Sequence, residues 1–239
     1  MPGMPAIRTE IEARLARKES IASLDLVGAD LRQLDLSGQD LSGADLHGAL
    51  LTRATMTGTR LRNANLEEAL LEMVVMREVD LAGVRARGAQ FSHALLEQTL
   101  LADAHLEGAS FRGATLMTCS LRGAIASGAD FTSADLSGCI LEEAQLERTC
   151  CAGAILSDAR LLGCRIGGAD LSDADLTRAE LRETDAPRCN FGGAICEGTV
   201  FADCDLTEAD LRGTGLEARR LQNCITRGAQ FGRAGHSGA

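Results

Sequence analysis

Nine cysteines, four histidines and 34 carboxylates are the side chains in this 239-residue sequence that could do chemistry. Thiolates attack electrophiles, ligate zinc and exchange disulfides, imidazoles move protons near neutral pH, and paired carboxylates serve as acid and base. Each role needs groups that converge, and the spacing here does something else. No Cys-x-x-Cys pair and no Cys/His ligand set occurs. Instead Cys119, Cys139, Cys164, Cys189, Cys204 and Cys224 are separated by multiples of five, Cys151 and Cys196 fall in a second such series, and only Cys150 stands outside both. His47, His93, His105 and His236 are scattered along the chain and share no series with one another.

The element that positions these residues is a five-residue repeat. Every fifth position from Ile21 to Phe231 carries a large apolar side chain: of 43 sites, 27 are Leu, six are Phe, two Ile and two Met, with two Cys, three Ala and one Thr. Two residues earlier in each unit the side chain is small, with 23 Ala, six Cys and six Thr among 42 sites. The other three positions are mostly Asp, Glu, Arg, Ser and Gly. A period of five fits neither the 3.6 of a helix nor the 2.0 of a flat strand, so the chain must turn once per unit with two residues inward. Six cysteines at the small site and two at the large one are then buried thiols acting as small hydrophobes. Cys150 alone is expected to point outward.

Composition agrees. There is no Trp and no Tyr, so Leu and Phe must fill a narrow, repetitive core with Ala and Gly between them. The net charge is -10 and Lys18 is the only lysine, which argues against a basic surface for nucleic acid. No apolar run approaches the roughly 20 residues of a membrane span, and no signal-peptide apolar region opens the chain. The expected compartment is the cytoplasm, with reduced thiols, and the preference for Arg over Lys accompanies high-GC bacterial coding.

Units such as Ala29-Asp30-Leu31, Ala44-Asp45-Leu46, Ala134-Asp135-Leu136 and Ala209-Asp210-Leu211 resemble the A(D/N)Lxx motif of the pentapeptide-repeat family. The resemblance implies an all-β fold, a right-handed quadrilateral β-helix of about 10–11 coils, four units to a coil. At ~4.8 Å per coil the rod would be about 50 Å long. Residues 20 apart would stack, putting Phe91, Phe111, Phe131, Phe191 and Phe231 in one interior column, interrupted at Cys151, Leu171 and Leu211, with Phe201 on another side. Asp40, Arg60 and Asp80 would alternate in an outer column, as would Arg160 and Glu180. Asp25 over Asp45 and Asp185 over Asp205 are like-charge stacks, and a local narrowing or bulge is expected on their face, where Ala86, Ala126, Ala186 and Thr226 take the large site.

Three segments follow. Residues 1–20 read as a capping helix, with Ile7, Ile11 and Leu15 at i, i+4 and i+8 to cover the first coil, since repeat proteins need capped ends. Residues 21–231 form the repeat, and 232–239 a short tail. The polar Arg219 and Thr226 at inward positions mark a frayed last coil, which leaves either a homodimer through the C-terminal coil or a tail folded over the opening.

A convex rod has no cleft where a nucleophile and base could meet, so no catalytic residue, metal or cofactor is expected, and the expected role is binding another protein. One face stands out. Built on Leu36, Met56, Met76, Leu96 and their successors, it carries Asp35, Glu78, Glu97, Asp135, Asp158, Asp175, Glu197 and Glu217 against Arg77 and Arg178, and presents Val75, Leu95, Met117, Ile155 and Ile195 outward. Apolar residues framed by charge are what interfaces bury. The chain also resembles fluoroquinolone-resistance pentapeptide proteins, which implies DNA mimicry toward gyrase or topoisomerase IV, although Arg interleaves with the acids on three faces and neither a C-terminal dimer helix nor an interrupting loop is present. The stretch from Glu19 to Leu46 after a short helix resembles pentapeptide modules associated with type VI secretion, which implies a secretion adaptor. No direct contact with nucleic acid or membrane is expected in any of these roles.

Overall fold

Turning once every five residues requires a backbone conformation that most residues avoid, and the chain adopts it in unit after unit. In the computed structural model, which describes residues 4–232, every fifth position from Gly28 to Gly213 has a positive φ, between 52° and 81°. Glycine fills many of these positions, but Gln33, Arg53, Met73 and Glu143 hold the same left-handed conformation. That conformation costs a non-glycine residue roughly 1–2 kcal/mol. Inter-coil bonding holds it in place: the Arg53 N–H donates to the Glu72 carbonyl at 3.0 Å, and within most turns a bond such as Ala54 N–H to the Leu51 carbonyl at 2.9 Å closes the corner.

Between corners the chain is extended for only a few residues, and the middle one pairs with its counterpart 20 residues on. Leu50 is typical, donating to the Ala29 carbonyl at 2.9 Å and accepting from the Leu31 N–H at 2.8 Å. Such parallel bridges run from Asp30↔Leu50 to Asp210↔Gln230. Each side of the square is so short that most pairing stays as isolated bridges; β1 (Glu180–Arg182) and β2 (Val200–Ala202) are the three-residue strands. The fold is a β-helix with a repeat of 20 residues, four units to a coil.

The interior holds the two inward series. The large sites from Ile21 to Phe191 are buried, and so are most of the small ones from Ala49 onward. Phe91, Phe111 and Phe131 stack with ring centroids 4.8 and 4.9 Å apart and planes within 5°. The column resumes at Phe191, which meets Phe201 from another side edge-on at 5.7 Å.

The first coil is covered by α1 (Met4–Ala16). Ile11 is fully buried, and Ile7 and Leu15 pack partly buried against the core. Arg8 adds a clasp, donating to Asp30 Oδ1 at 2.9 Å and to the carbonyls of Asp30 and Arg32 at 3.2 Å. At the other end the left-handed series stops at Gly213, skips Ala218 and resumes at Asn223, and a 3-10 turn at Ala218–Arg220 carries the chain outward. Arg219 is exposed and pairs with Glu217 at 2.6 Å, because an arginine at the small site has no room inside. The expected bulge on the Ala86, Ala126 and Ala186 face is absent: Arg85↔His105, Ile125↔Gln145 and Asp185↔Asp205 keep the ladder in register there. The tail beyond Gly232, with His236, lies outside the described residues.

Candidate interaction surface

The coil itself uses some of its outward residues, and the Asp of the repeat is one of them. In fourteen units the Asp or Asn just before the large residue accepts the backbone N–H two residues on, capping a corner donor. Much of the negative charge is therefore part of the fold. On the face singled out by sequence, Asp35, Asp135 and Asp175 bond the N–H groups of Ser37, Ser137 and Thr177 at 3.0, 2.9 and 2.8 Å. The Ser37 and Thr177 hydroxyls hold Asp35 and Asp175 below the ordinary carboxylate range, with the turn N–H adding to the effect.

Two more acids of that face are neutralised by the arginines beside them. Arg178 grips Asp158 with two bonds of 2.7 and 2.6 Å and lowers its pKa, while Arg77 pairs with Glu97 at 2.9 Å. Glu217 pairs with Arg219 in the displaced turn. Glu78 and Glu197 are exposed and, among the described residues, form no ion pair.

The apolar residues line up along the centre of the face. Val75, Leu95, Thr115, Asp135, Ile155, Asp175 and Ile195 follow one another through consecutive parallel bridges. Val75 and Leu95 are half-buried by their neighbours, whereas Met117, Ile155 and Ile195 are 41%, 40% and 54% exposed. Leu100, 48% exposed, occupies the centre of the next face one corner from Leu95, which extends the apolar surface around the edge. Leu100 lies outside the face expected from sequence, and an apolar residue in an outward column is its signal there.

The charged columns stack as expected, Asp40, Arg60 and Asp80 in consecutive bridges and Arg160 over Glu180, but the ion pairs follow them only in part. Arg60 pairs with Asp40 at 2.9 Å, but Asp80 is taken by Arg62 at 3.2 Å, and Arg160 reaches Glu142 at 2.7 Å while Glu180 lies 3.7 Å from Arg182. Glu142 is buried between Arg160 and Arg122, the latter at 3.3 Å.

The thiols are part of the coil as well. Cys119, Cys139, Cys164, Cys189 and Cys204 donate to the carbonyl 23 residues back, at 2.6 to 3.0 Å, and Thr59, Thr99, Thr184 and Thr199 do the same. Burial pushes Cys119, Cys151, Cys164 and Cys189 up to about 12, so they stay protonated at neutral pH. Cys150 is half-buried beside Thr132 and is not part of the core; Cys196 and Cys224 pack against the core but are also only half-buried, the former beneath the displaced turn and the latter in the last of the described coils. Among the described residues no cluster of His, Cys, Asp or Glu could hold a metal, and no helix is long and apolar enough to cross a membrane. A cavity of about 650 Å³ at the C-terminal end is lined by glycines, Leu216, Glu217, Ala218 and Phe231.

The family model for pentapeptide repeats matches eight copies, beginning at 24–58 and ending at 188–217. No curated protein sequence matches. Among solved structures, HetL, a pentapeptide repeat protein involved in heterocyst differentiation regulation in the cyanobacterium Nostoc sp. strain PCC 7120, is 26% identical, with 93% of each chain covered and a TM-score of 0.51. QnrB1, a plasmid-mediated fluoroquinolone resistance protein, is 18% identical over 83% of this chain and 91% of its own, with a TM-score of 0.43. A pentapeptide repeat protein of the Arabidopsis thaliana thylakoid lumen is 23% identical over 66% of this chain and 72% of its own, with a TM-score of 0.30.

Proposed function

Because this chain belongs to the pentapeptide-repeat family, we propose that it is a non-enzymatic interaction module that docks a protein partner on the face centred on Val75, Leu95, Ile155 and Ile195. The observation that carries this reading is the exposure of Met117, Ile155 and Ile195 on a flat ladder whose own bonding does not need them. The unpaired Glu78 and Glu197 frame the strip, so the complementary surface is apolar with basic residues at its rim. HetL, similar along nearly the whole chain, is involved in regulation, which is in keeping with a binding role. A right-handed coil, the sense of the family, and a cytoplasmic compartment, in keeping with nine unpaired thiols, go with the same proposal. The candidate partner is a secretion component on this reading and a topoisomerase on the alternative one.

DNA mimicry of gyrase-bound DNA asks more of the acids than this face supplies. A phosphate-like array needs free carboxylates, whereas Asp35, Asp135 and Asp175 are engaged with backbone N–H groups, and Asp158 and Glu97 with arginines. The two readings part in one pair of assays. Leu95→Asp with Ile155→Arg should leave the circular dichroism of the coil unchanged and abolish co-purification of the partner that the wild type retains. The wild type should leave gyrase supercoiling and its quinolone sensitivity unaltered at micromolar levels. Unchanged partner recovery by the double variant would remove this face from the proposal, and gyrase inhibition would favour the mimic.

A further inference from the structure

Cysteines occupy the small inward site one coil apart in two places, Cys119 with Cys139 and Cys204 with Cys224, and the surroundings of the two pairs differ. Cys119 and Cys139 are fully buried, with further coils on either side, and both thiols cap carbonyls of the coil before, Leu96 at 2.6 Å and Leu116 at 2.9 Å. Cys204 is buried and caps the Leu181 carbonyl at 3.0 Å. Cys224 lies in the last of the described coils, half-buried, and among the described residues its thiol donates to the Gln222 carbonyl of its own coil, at 3.4 Å.

The backbone holds this second pair in register. Gln222 N–H donates to the Phe201 carbonyl at 3.1 Å and Ile225 N–H to the Cys204 carbonyl at 2.9 Å, so bonds on both sides fix Cys224 over Cys204. Neighbouring strands lie about 4.8 Å apart, within the Cα separation of ~4.4–6.8 Å that a disulfide spans. Burial, and to a lesser degree the neighbouring Cys224, raise the Cys204 thiol. The place matters mechanically. The turn at Ala218–Arg220 has left the ladder, and the last coil is tied back through Ala202↔Gln222, Asp205↔Ile225 and Asp210↔Gln230.

We propose that Cys204 and Cys224 are a peroxide-sensitive pair that closes into a disulfide and staples the last coil to the one before it. Hydrogen peroxide oxidises the accessible Cys224 thiol to a sulfenic acid, and one water leaves. The Cys204 sulfur then attacks the sulfenic sulfur; the S–S bond forms, the S–O bond breaks, and the hydroxyl departs with the Cys204 proton as a second water. Two thiols give up two electrons and the peroxide accepts them. Burial pushes Cys204 up to about 11, so the second step draws on a small thiolate fraction at neutral pH and gains speed as pH rises.

The test uses the folded full-length protein, treated with hydrogen peroxide at pH 7.5 and 8.5, quenched with N-ethylmaleimide and digested with trypsin. Mass spectrometry should find the peptide from Cys189 to Arg212 joined to that from Leu221 to Arg227 with two hydrogens lost. Where closure limits the rate, the link should form several-fold and up to about tenfold faster at the higher pH. Dithiothreitol should reverse it, and Cys119 and Cys139 should remain unlinked. Cys196→Ser should keep the link. Cys204→Ser, whose hydroxyl still reaches the Leu181 carbonyl, should lose it while its circular dichroism stays that of the wild type. Linkage of Cys224 to Cys196, linkage only between molecules, or oxidation of Cys224 to sulfinic acid with no link would each overturn the proposal.

Discussion

If Thr and Cys at the small site act as caps on inter-coil carbonyls, removing one hydroxyl should cost what its carbonyl then lacks, and two threonines allow a comparison. Thr59 and Thr99 are both fully buried, and their hydroxyls donate to Leu36 at 2.9 Å and to Met76 at 2.8 Å. The two carbonyls differ. Leu36 also accepts the Gln39 N–H at 3.1 Å, whereas Met76 accepts no backbone N–H, its corner at Arg77–Glu78 having lost the closing bond. Substituting valine removes the hydroxyl and adds a methyl at both sites, so the change in apolar burial nearly cancels between them.

Thr59→Val therefore loses one of two bonds to a carbonyl, a net cost of ~0.5–1.5 kcal/mol. Thr99→Val leaves the buried Met76 carbonyl without a partner, a cost of about 1–3 kcal/mol, and should be the more destabilising by roughly 1 kcal/mol. Urea unfolding followed by circular dichroism at 25 °C gives both values, provided the denaturant slope matches the wild type. A Thr59→Val variant as unstable as Thr99→Val, or both at wild-type stability, would refute the capping role and with it the reason given for thiols at the same site.

Three further outcomes follow from the core and its charges. Phe111→Ala should cost about 3–5 kcal/mol in urea unfolding, since Phe91 and Phe131 stack on both of its faces and the void is closed by coils above and below; Phe111→Leu should cost ~1 kcal/mol, because leucine fills the same register at Leu171 and Leu211. Melting temperature should be flat from pH 5 to 8 and fall at both ends. Asp35, Asp175 and Asp210, held below the ordinary range by the hydroxyls of Ser37 and Thr177 and by Arg212, support the fold above about pH 4 and lose that support as pH drops through their lowered values. Cys119, Cys151, Cys164 and Cys189, raised to about 12 by burial, support it below roughly pH 8.5 and lose that support as pH climbs toward 12. Under native conditions a thiol reagent should label Cys150 and Cys224 quickly, Cys196 more slowly because burial pushes it up to about 11, and the other six only after denaturant is added; labelling of Cys164 or Cys189 at the rate of Cys150 would show that the coil opens locally.

The inward half of the structure was legible because it depends on volume alone. A Leu or Phe five residues from the next, with Ala, Cys or Thr two before it, leaves one way to bury both, and the buried sites from Ile21 to Phe191 follow that series. Arg219 likewise announced the break at Ala218–Arg220, since its side chain exceeds the small site. The outward half was read less well, and for a geometric reason. Reasoning in columns of 20 captured Arg60 with Asp40, yet Arg62 with Asp80, Arg112 with Asp130, Arg160 with Glu142 and Arg165 with Glu147 pair residues 18 apart, from the side of one corner to the side of another. Arg8 over Asp30 lies outside the repeat, so no periodicity could reveal it.

The same distinction decides where functional information can reside. An Asp ahead of the large residue caps its own turn, so an acidic face in this fold is first a consequence of folding and only then a signal to a partner. An Ile or Leu at that position forfeits the cap. Ile155 and Ile195 give up the bond that Asp135 and Asp175 make in the same column, and both expose apolar surface in exchange. Residues that work against local stability in a repeat otherwise tuned for it are the ones a binding requirement has to explain. In this column they alternate with Asp across four consecutive coils, from Asp135 to Ile195. A partner that reads the strip should therefore discriminate Ile155→Asn, which restores the cap as Asn190 does without placing a third carboxylate between Asp135 and Asp175, from the wild type: stability holds or rises while binding falls. A variant that gained stability and kept full binding would assign the apolar strip to chance.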